Sequence, residues 1–199
     1  ANEFLNQNDG SVQLYLVGKK DIIQKELESF PKIQSQDFII VDASDIVDSD
    51  VRPSRVLKEK PNSSMVKSIN LLKDNTVDAV VSAGNTGCLL ASSFFTLGTI
   101  KNIKRPALVA FVPSEKGNFL ICDVGANSLA KPIQLLQFSK MAEVYIHNQL
   151  NILKPKIALL NIGSESNKGH ELVRESYKLM ENQLQGFIGN IESRYLFDG

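Results

Sequence analysis

Three times along this chain a short apolar run ends in glycine and small polar residues and gives way to a helical pattern. Val77–Val81 runs into Ser82-Ala83-Gly84-Asn85-Thr86-Gly87, and Leu120–Cys122 into Asp123-Val124-Gly125-Ala126-Asn127. Ala158–Leu160 runs into Asn161-Ile162-Gly163-Ser164-Glu165, with Lys168-Gly169 before the next helix. The rest of the chain keeps the same alternation. Strands are expected at 12–17, 38–41, 77–81, 107–112, 118–122, 156–160 and 186–188, with the fourth and fifth forming a hairpin through 113–117. Helices are expected at 19–30, 51–60, from a cap at Asn62 or Ser63, at 86–98, from Pro132 to about 148, and at 169–182. The 86–98 helix is apolar nearly all round, which predicts burial. Strands alternating with helices predict an α/β fold with one mostly parallel sheet covered on both faces. No repeat, low-complexity segment or linker interrupts residues 1–199, so the pattern predicts one domain.

Composition narrows the function classes. The 199 residues are 43% apolar and carry 22 Lys+Arg against 22 Asp+Glu. That apolar content with no net charge excludes a disordered chain. It also supplies no global basic field to recruit nucleic acid. Two cysteines, Cys88 and Cys122, cannot form a disulfide framework and point to a reducing compartment. No run approaches the ~18 apolar residues of a membrane span. The first residues lack the basic start and apolar core of a secretion signal. The absence of an initial Met points to a partial or processed chain.

In an open α/β sheet ligands bind beyond the carboxyl ends of the strands. Glycine there lets backbone N–H groups approach a ligand, and helix N-termini favour anions. One such loop alone reads as an ordinary tight turn. Three together, with Asn85, Thr86, Asp123, Asn127, Glu165 and Lys168, predict a phosphate or carboxylate site. There is no P-loop, no dinucleotide fingerprint and no nucleophile elbow. Two isolated histidines and two distant cysteines give no zinc spacing, so no metal is expected. Cys88 opens a helix, where a thiolate is favoured. Its apolar neighbours favour a core residue instead, as the strand does for Cys122. His147 is expected at the surface, and His170 has no carboxylate partner in its motif.

Several motifs stand in register with one family. Asn62-Ser63-Ser64-Met65, residues 82–87, Arg105-Pro106-Ala107-Leu108, residues 123–127, residues 160–165, Lys168-Gly169 and Gly189-Asn190-Ile191-Glu192 resemble the PlsX-type phosphate acyltransferases of bacterial phospholipid synthesis. The likeness covers essentially the whole chain. It implies a Rossmann-like α/β/α sandwich akin to isocitrate and isopropylmalate dehydrogenases. It implies conversion of acyl-[acyl carrier protein] and inorganic phosphate to acyl phosphate and free carrier protein, with no cofactor. It further implies a cytoplasmic homodimer that associates peripherally with the membrane. The family's opening Val-Asp-Ala-Met-Gly-Gly-Asp segment and its later parts are not found here, so the chain reads as a central portion. Cys88 and His170 stand where the family often has Ala and Asn, which argues against catalytic roles for both.

A thioester is already activated and phosphate is already anionic, so positioning and oxyanion stabilisation carry the chemistry. On this reading Gly84, Thr86, Gly87, Gly163, Ser164, Glu165 and Gly169 form the phosphate cradle and Lys168 adds a cation. Asn85 or Asn127 donates to the thioester oxygen, and Asp123 orients those donors. Lys101, Lys104 and Arg105 form a basic cluster that would suit an acidic carrier protein, although charge runs are more often a solvated loop. The alternatives are a phosphotransacetylase-like enzyme acting on a coenzyme A thioester and a non-catalytic carrier-binding scaffold.

Overall fold

A computed structural model describes residues 12–30 and 38–198. They fall into two compact units, residues 1–98 and 99–199.

In the first unit β1 (Leu14–Gly18) pairs in parallel with β2 (Phe38–Asp42), Leu14 opposite Phe38. Helix α1 (Lys20–Leu27) leaves β1 directly. The Lys20 N–H donates to Asp42 Oδ1 at 2.9 Å, and the Ala43 N–H donates to the Gly18 carbonyl at 2.8 Å, locking the strand ends together. A 3-10 turn (Pro53–Arg55) leads into the short α2 (Val56–Glu59). Ser63 caps α3 (Ser64–Lys73), its Oγ accepting from the Val66 N–H at 3.4 Å. That helix buries Met65, Val66 and Ile69, and α4 (Thr86–Leu97) follows. Val51, Val56, Met65, Val66 and Cys88 form the core.

Two expectations fail in this unit. Residues 77–81 are not a strand. A strand exists only through ladder hydrogen bonds, and the described residues offer this run no partner. Val81 is fully exposed. Helix α4 is not buried all round either. Only Cys88 and Ser92 are buried, while Phe95 and Leu97 are exposed, because the helix has neighbours on one side only among the described residues of its unit.

In the second unit β3 (Val109–Ser114) and β4 (Gly117–Cys122) make the expected hairpin, Val109 opposite Cys122. Glu115 and Lys116 make the two-residue turn, and Gly117 opens β4 at φ +134°, a conformation that side chains rarely adopt. Helix α5 (Pro132–Leu150) opens on proline and stops at Asn151, whose left-handed φ of 54° ends the helix. Parallel strands β5 (Ile157–Asn161) and β6 (Phe187–Glu192) are joined through α6 (Glu171–Gln183). Leu136, Leu159, Met180 and Leu184 pack the core between α5, α6 and β5. The class is thus α/β with short parallel pairs. Instead of one mostly parallel sheet, the described residues hold three two-stranded ladders, two parallel and one antiparallel.

Candidate functional site

The three glycine loops are built differently. The first, at 84–87, belongs to the first unit. Asn85 is the N-cap of α4, its Oδ1 accepting from the Cys88 N–H at 3.0 Å. The Gly84 N–H donates to Ser82 Oγ at 3.3 Å. Thr86 and Gly87 begin the helix, so their N–H groups have no acceptor within it. Gly87 also has a packing role: a Cβ there would lie 3.0 Å from Pro53 Cγ. A cleft of about 530 Å³ adjoins this loop, running from Val17 and Gly18 past Met65 to Val81–Gly84.

The second loop closes on itself. Asp123 Oδ1 accepts from the Leu108 N–H at 2.8 Å and the Ala126 N–H at 3.3 Å. Its Oδ2 accepts from Asn127, from the backbone N–H at 2.8 Å and from Nδ2 at 3.1 Å. Asn127 Nδ2 also donates to the Pro106 carbonyl at 2.9 Å. Asp123 therefore fixes Asn127 and ties the 106–108 segment to the end of β4. Both donor positions of the Asn127 amide have acceptors here. Gly125, at φ +83°, supplies the turn between them.

The third loop is held from behind and open in front. At the end of β5, Asn161 Nδ2 donates to the Lys168 carbonyl at 3.0 Å, and its Oδ1 accepts from the Ile162 N–H at 2.9 Å. Gly169 has φ +84°, and a Cβ on it would fall 2.5 Å from Asn161 Oδ1. Only glycine meets both conditions. Gly163 is buried, and a Cβ there would come within 2.9 Å of Glu165 Oε2 and 3.1 Å of Lys168 Cγ. Arg174, from the first turn of α6, donates to the Gly169 carbonyl at 2.6 Å. Asn190 Nδ2, from β6, donates to the Glu165 carbonyl at 2.8 Å. Ser164, Glu165 and Lys168 are exposed, and Lys168 Nζ lies 3.8 Å from Glu165 Oε1.

Among the described residues, no hydrogen bond or ion pair joins the second loop to the third. Asn161, Arg174 and Asn190 carry the third loop without standing out in the sequence. Asn161 and Asn190 lie in quoted motifs, but the partner of Asn190 is 25 residues away and emerges only with the β5–α6–β6 crossover.

The cysteines are ill suited to attack. Cys88 is fully buried, its thiol donates to the Val51 carbonyl at 3.5 Å, and burial pushes its pKa up. Cys122 is pushed up to about 11, by burial and then by the Asp123 charge. His147 and His170 are exposed. No group of three or more His, Cys, Asp or Glu suited to a metal occurs among the described residues, and no described helix is long and apolar enough to cross a membrane.

The family model described as fatty acid synthesis protein matches residues 4–199. The chain belongs to this family. Among its relatives, the phosphate acyltransferase of Clostridium botulinum (strain Alaska E43 / Type E3) is 42% identical over 187 residues, 93% of this chain and 56% of the relative. That of Dictyoglomus thermophilum is 42% identical over 193 residues, 96% of this chain and 57% of the relative. That of Clostridium beijerinckii is 41% identical over 191 residues, covering 94% and 56%. The chain thus spans little more than half the length of these relatives. A branched-chain phosphotransacylase from Enterococcus faecalis V583 shares the fold at a TM-score of 0.57 and 19% identity, over 93% of this chain and 70% of that one. The fold likeness agrees with the α/β class.

Proposed function

We propose that this chain is part of an enzyme that converts acyl-[acyl carrier protein] and inorganic phosphate to acyl phosphate and free carrier protein. The observation that carries the reading is the alignment of relatives named phosphate acyltransferase across 93–96% of the chain. The geometry supports it. The 163–169 loop leads into the N-terminus of α6 with Ser164, Glu165 and the Lys168 ammonium at its surface. The Lys168–Glu165 pair is half exposed on both sides, and such pairs contribute about 0–1 kcal/mol. A phosphate dianion easily displaces the carboxylate from the ammonium.

In the reaction a phosphate oxygen attacks the thioester carbonyl carbon. The new C–O bond forms, the C–S bond breaks, and the carrier's thiolate leaves and takes up a proton. No acyl-enzyme is required, which agrees with two cysteines held as thiols. Gly163, Ser164, Glu165, Lys168 and Gly169 of the second unit are assigned to phosphate, and Gly84, Thr86 and Gly87 of the first unit are assigned to an anion as a loop of their own. Asn85 is assigned to the thioester oxygen, since its cap uses only Oδ1 and leaves Nδ2 available. Asp123 and Asn127 act as positioning residues. A Rossmann-like sandwich of the dehydrogenase type, a homodimer, cytoplasmic placement and peripheral membrane contact belong to the same reading.

The likeness to a phosphotransacylase favours a second reading, a coenzyme A thioester as acyl donor. Phosphate-dependent release of free thiol, measured with both donors in the chain extended to its relatives' length, separates them. Preference for the carrier thioester is expected. Preference for coenzyme A installs the second reading, and no turnover with either contradicts both. Residues 1–199 alone are expected to turn over little, because a site that works by positioning loses many factors of ten when part of it is missing.

A further inference from the structure

Taking the loop after β5 as the phosphate site, as proposed above, we infer that Glu165 is the residue by which this loop tells phosphate from sulfate. Its carboxylate accepts the hydrogen that inorganic phosphate still carries and repels an oxyanion that carries none. Two charges of opposite sign share one place in the loop. Glu165 Oε1 lies 3.8 Å from Lys168 Nζ, and Oε2 lies against Gly163, where an added Cβ would fall 2.9 Å from it. The Lys168 stem covers the same glycine, its Cγ 3.1 Å from the same point. The backbone keeps the two residues together. The Glu165 carbonyl accepts from the Lys168 N–H at 3.1 Å and from Asn190 Nδ2 at 2.8 Å, so both side chains leave one turn that β6 fixes from behind. An oxyanion on the Lys168 ammonium therefore meets the Glu165 carboxylate.

That carboxylate has unused capacity. Among the described residues it accepts no hydrogen bond, and its one ion pair is the half-exposed contact with Lys168. Asp123, in the loop after β4, accepts four hydrogen bonds. An ionised carboxylate can only accept, so the ligand that satisfies it must bring a donor. Near neutral pH every ion of inorganic phosphate keeps a P–O–H group, and sulfate keeps no proton. With phosphate, the Lys168 ammonium donates to one oxygen and the Glu165 carboxylate accepts from the P–O–H, in a charge-assisted bond. With sulfate, the same carboxylate faces a bare oxygen, and repulsion offsets what the ammonium contributes. Because the loop is at the surface, the difference is that of charges near water, about ten- to a hundredfold in affinity. Attraction alone needs only Lys168 and the first N–H groups of α6, which His170 does not cap through its side chain. Glu165 weakens that attraction for every anion except one that carries a donor.

Titration calorimetry on the enzyme at its relatives' length, without acyl donor, tests this with inorganic phosphate, arsenate and sulfate in turn. Arsenate has the protons of phosphate, and sulfate has the same tetrahedral shape without them. The unaltered enzyme should bind phosphate and arsenate with similar affinity and sulfate about ten- to a hundredfold more weakly. Glu165→Gln should tighten sulfate about tenfold and leave phosphate within about threefold, because the new amide donates to sulfate and its carbonyl still accepts from the P–O–H. Lys168→Ala should weaken all three anions alike. If Glu165→Gln leaves sulfate unchanged while Lys168→Ala weakens phosphate, the loop is the phosphate site but Glu165 does not select, and the inference is overturned. Equal tightening of phosphate and sulfate in Glu165→Gln overturns it too, since the carboxylate is then only a competitor for the ammonium. Phosphate binding that neither variant alters removes the site from this loop, and overturns the phosphate reading and the inference together.

Discussion

The loops after β4 and β5 share a sequence plan, strand to glycine and small polar residues to helix, yet the structure uses them in opposite ways. After β4 the polar groups turn inward. Asp123 accepts four hydrogen bonds, and the amide of Asn127 is consumed by Asp123 and Pro106. After β5 the polar side chains that hold the loop, Asn161, Arg174 and Asn190, approach from outside it, and its own Ser164, Glu165 and Lys168 are left at the surface. A loop whose charges are spent on itself positions its neighbours. The loop after β5 is held by other segments, and its Glu165 and Lys168 pair with each other at the surface.

The contrast is sharpest at the residues that hold each loop. Gly169→Val should cost the most. It forces a β-branched residue into φ +84° and drives Cβ against Asn161 Oδ1, which suggests about 3–5 kcal/mol of lost stability. Urea unfolding reads it, and a loss under 1 kcal/mol would mean that the loop is not held as described. Asp123→Ala comes next. It strips acceptors from the Leu108 and Asn127 amides and should cost about 2–4 kcal/mol by the same measurement. Asp123→Asn should recover part of that loss, since one oxygen still accepts.

The cysteines give a smaller, pH-dependent effect. Two pKa units above an ordinary thiol leave Cys122 with roughly a hundredth of the usual thiolate near pH 8, partly offset by the greater nucleophilicity of a more basic thiolate. Alkylation should therefore run about tenfold slower than on an unfolded control. Because the folded-state pKa lies above the unfolded one, the folded chain retains the proton longer. The stabilisation is complete below about pH 9 and is lost as pH rises toward 11. Cys122→Ala should flatten that alkaline decline, and an unchanged decline would assign it to other groups.

Much of this was legible in the sequence where the cause is local. Ser63 caps α3 because hydroxyl capping needs only the next three residues, and Pro132 marks the start of α5 for the same kind of reason. What needed a partner was not legible. Val77–Val81 has strand composition but no ladder among the described residues, and α4 has a buried helix's composition with exposed Phe95 and Leu97. Gly87 reads as a phosphate glycine, yet its closest constraint is Pro53, 34 positions away. At the candidate site the glycines and Lys168 were visible as a motif. Asn190 holding the Glu165 carbonyl depends on how β6 returns beside β5, which no local pattern encodes.

The smallest effect on stability should come from Lys168→Ala, under about 0.5 kcal/mol, because its ion pair with Glu165 is exposed. The same variant gives the most direct test of the central claim, that the loop after β5 binds phosphate while the loop after β4 only positions. The measurement is the phosphate dependence of acyl phosphate formation by the enzyme at its relatives' length. Loss of one charge-assisted contact should raise the KM for phosphate and lower kcat/KM by ten- to a hundredfold, about 1.5–3 kcal/mol, with the carrier-protein KM little changed. An unchanged phosphate KM in a folded Lys168→Ala enzyme would contradict the claim and return Lys168 to the solvent.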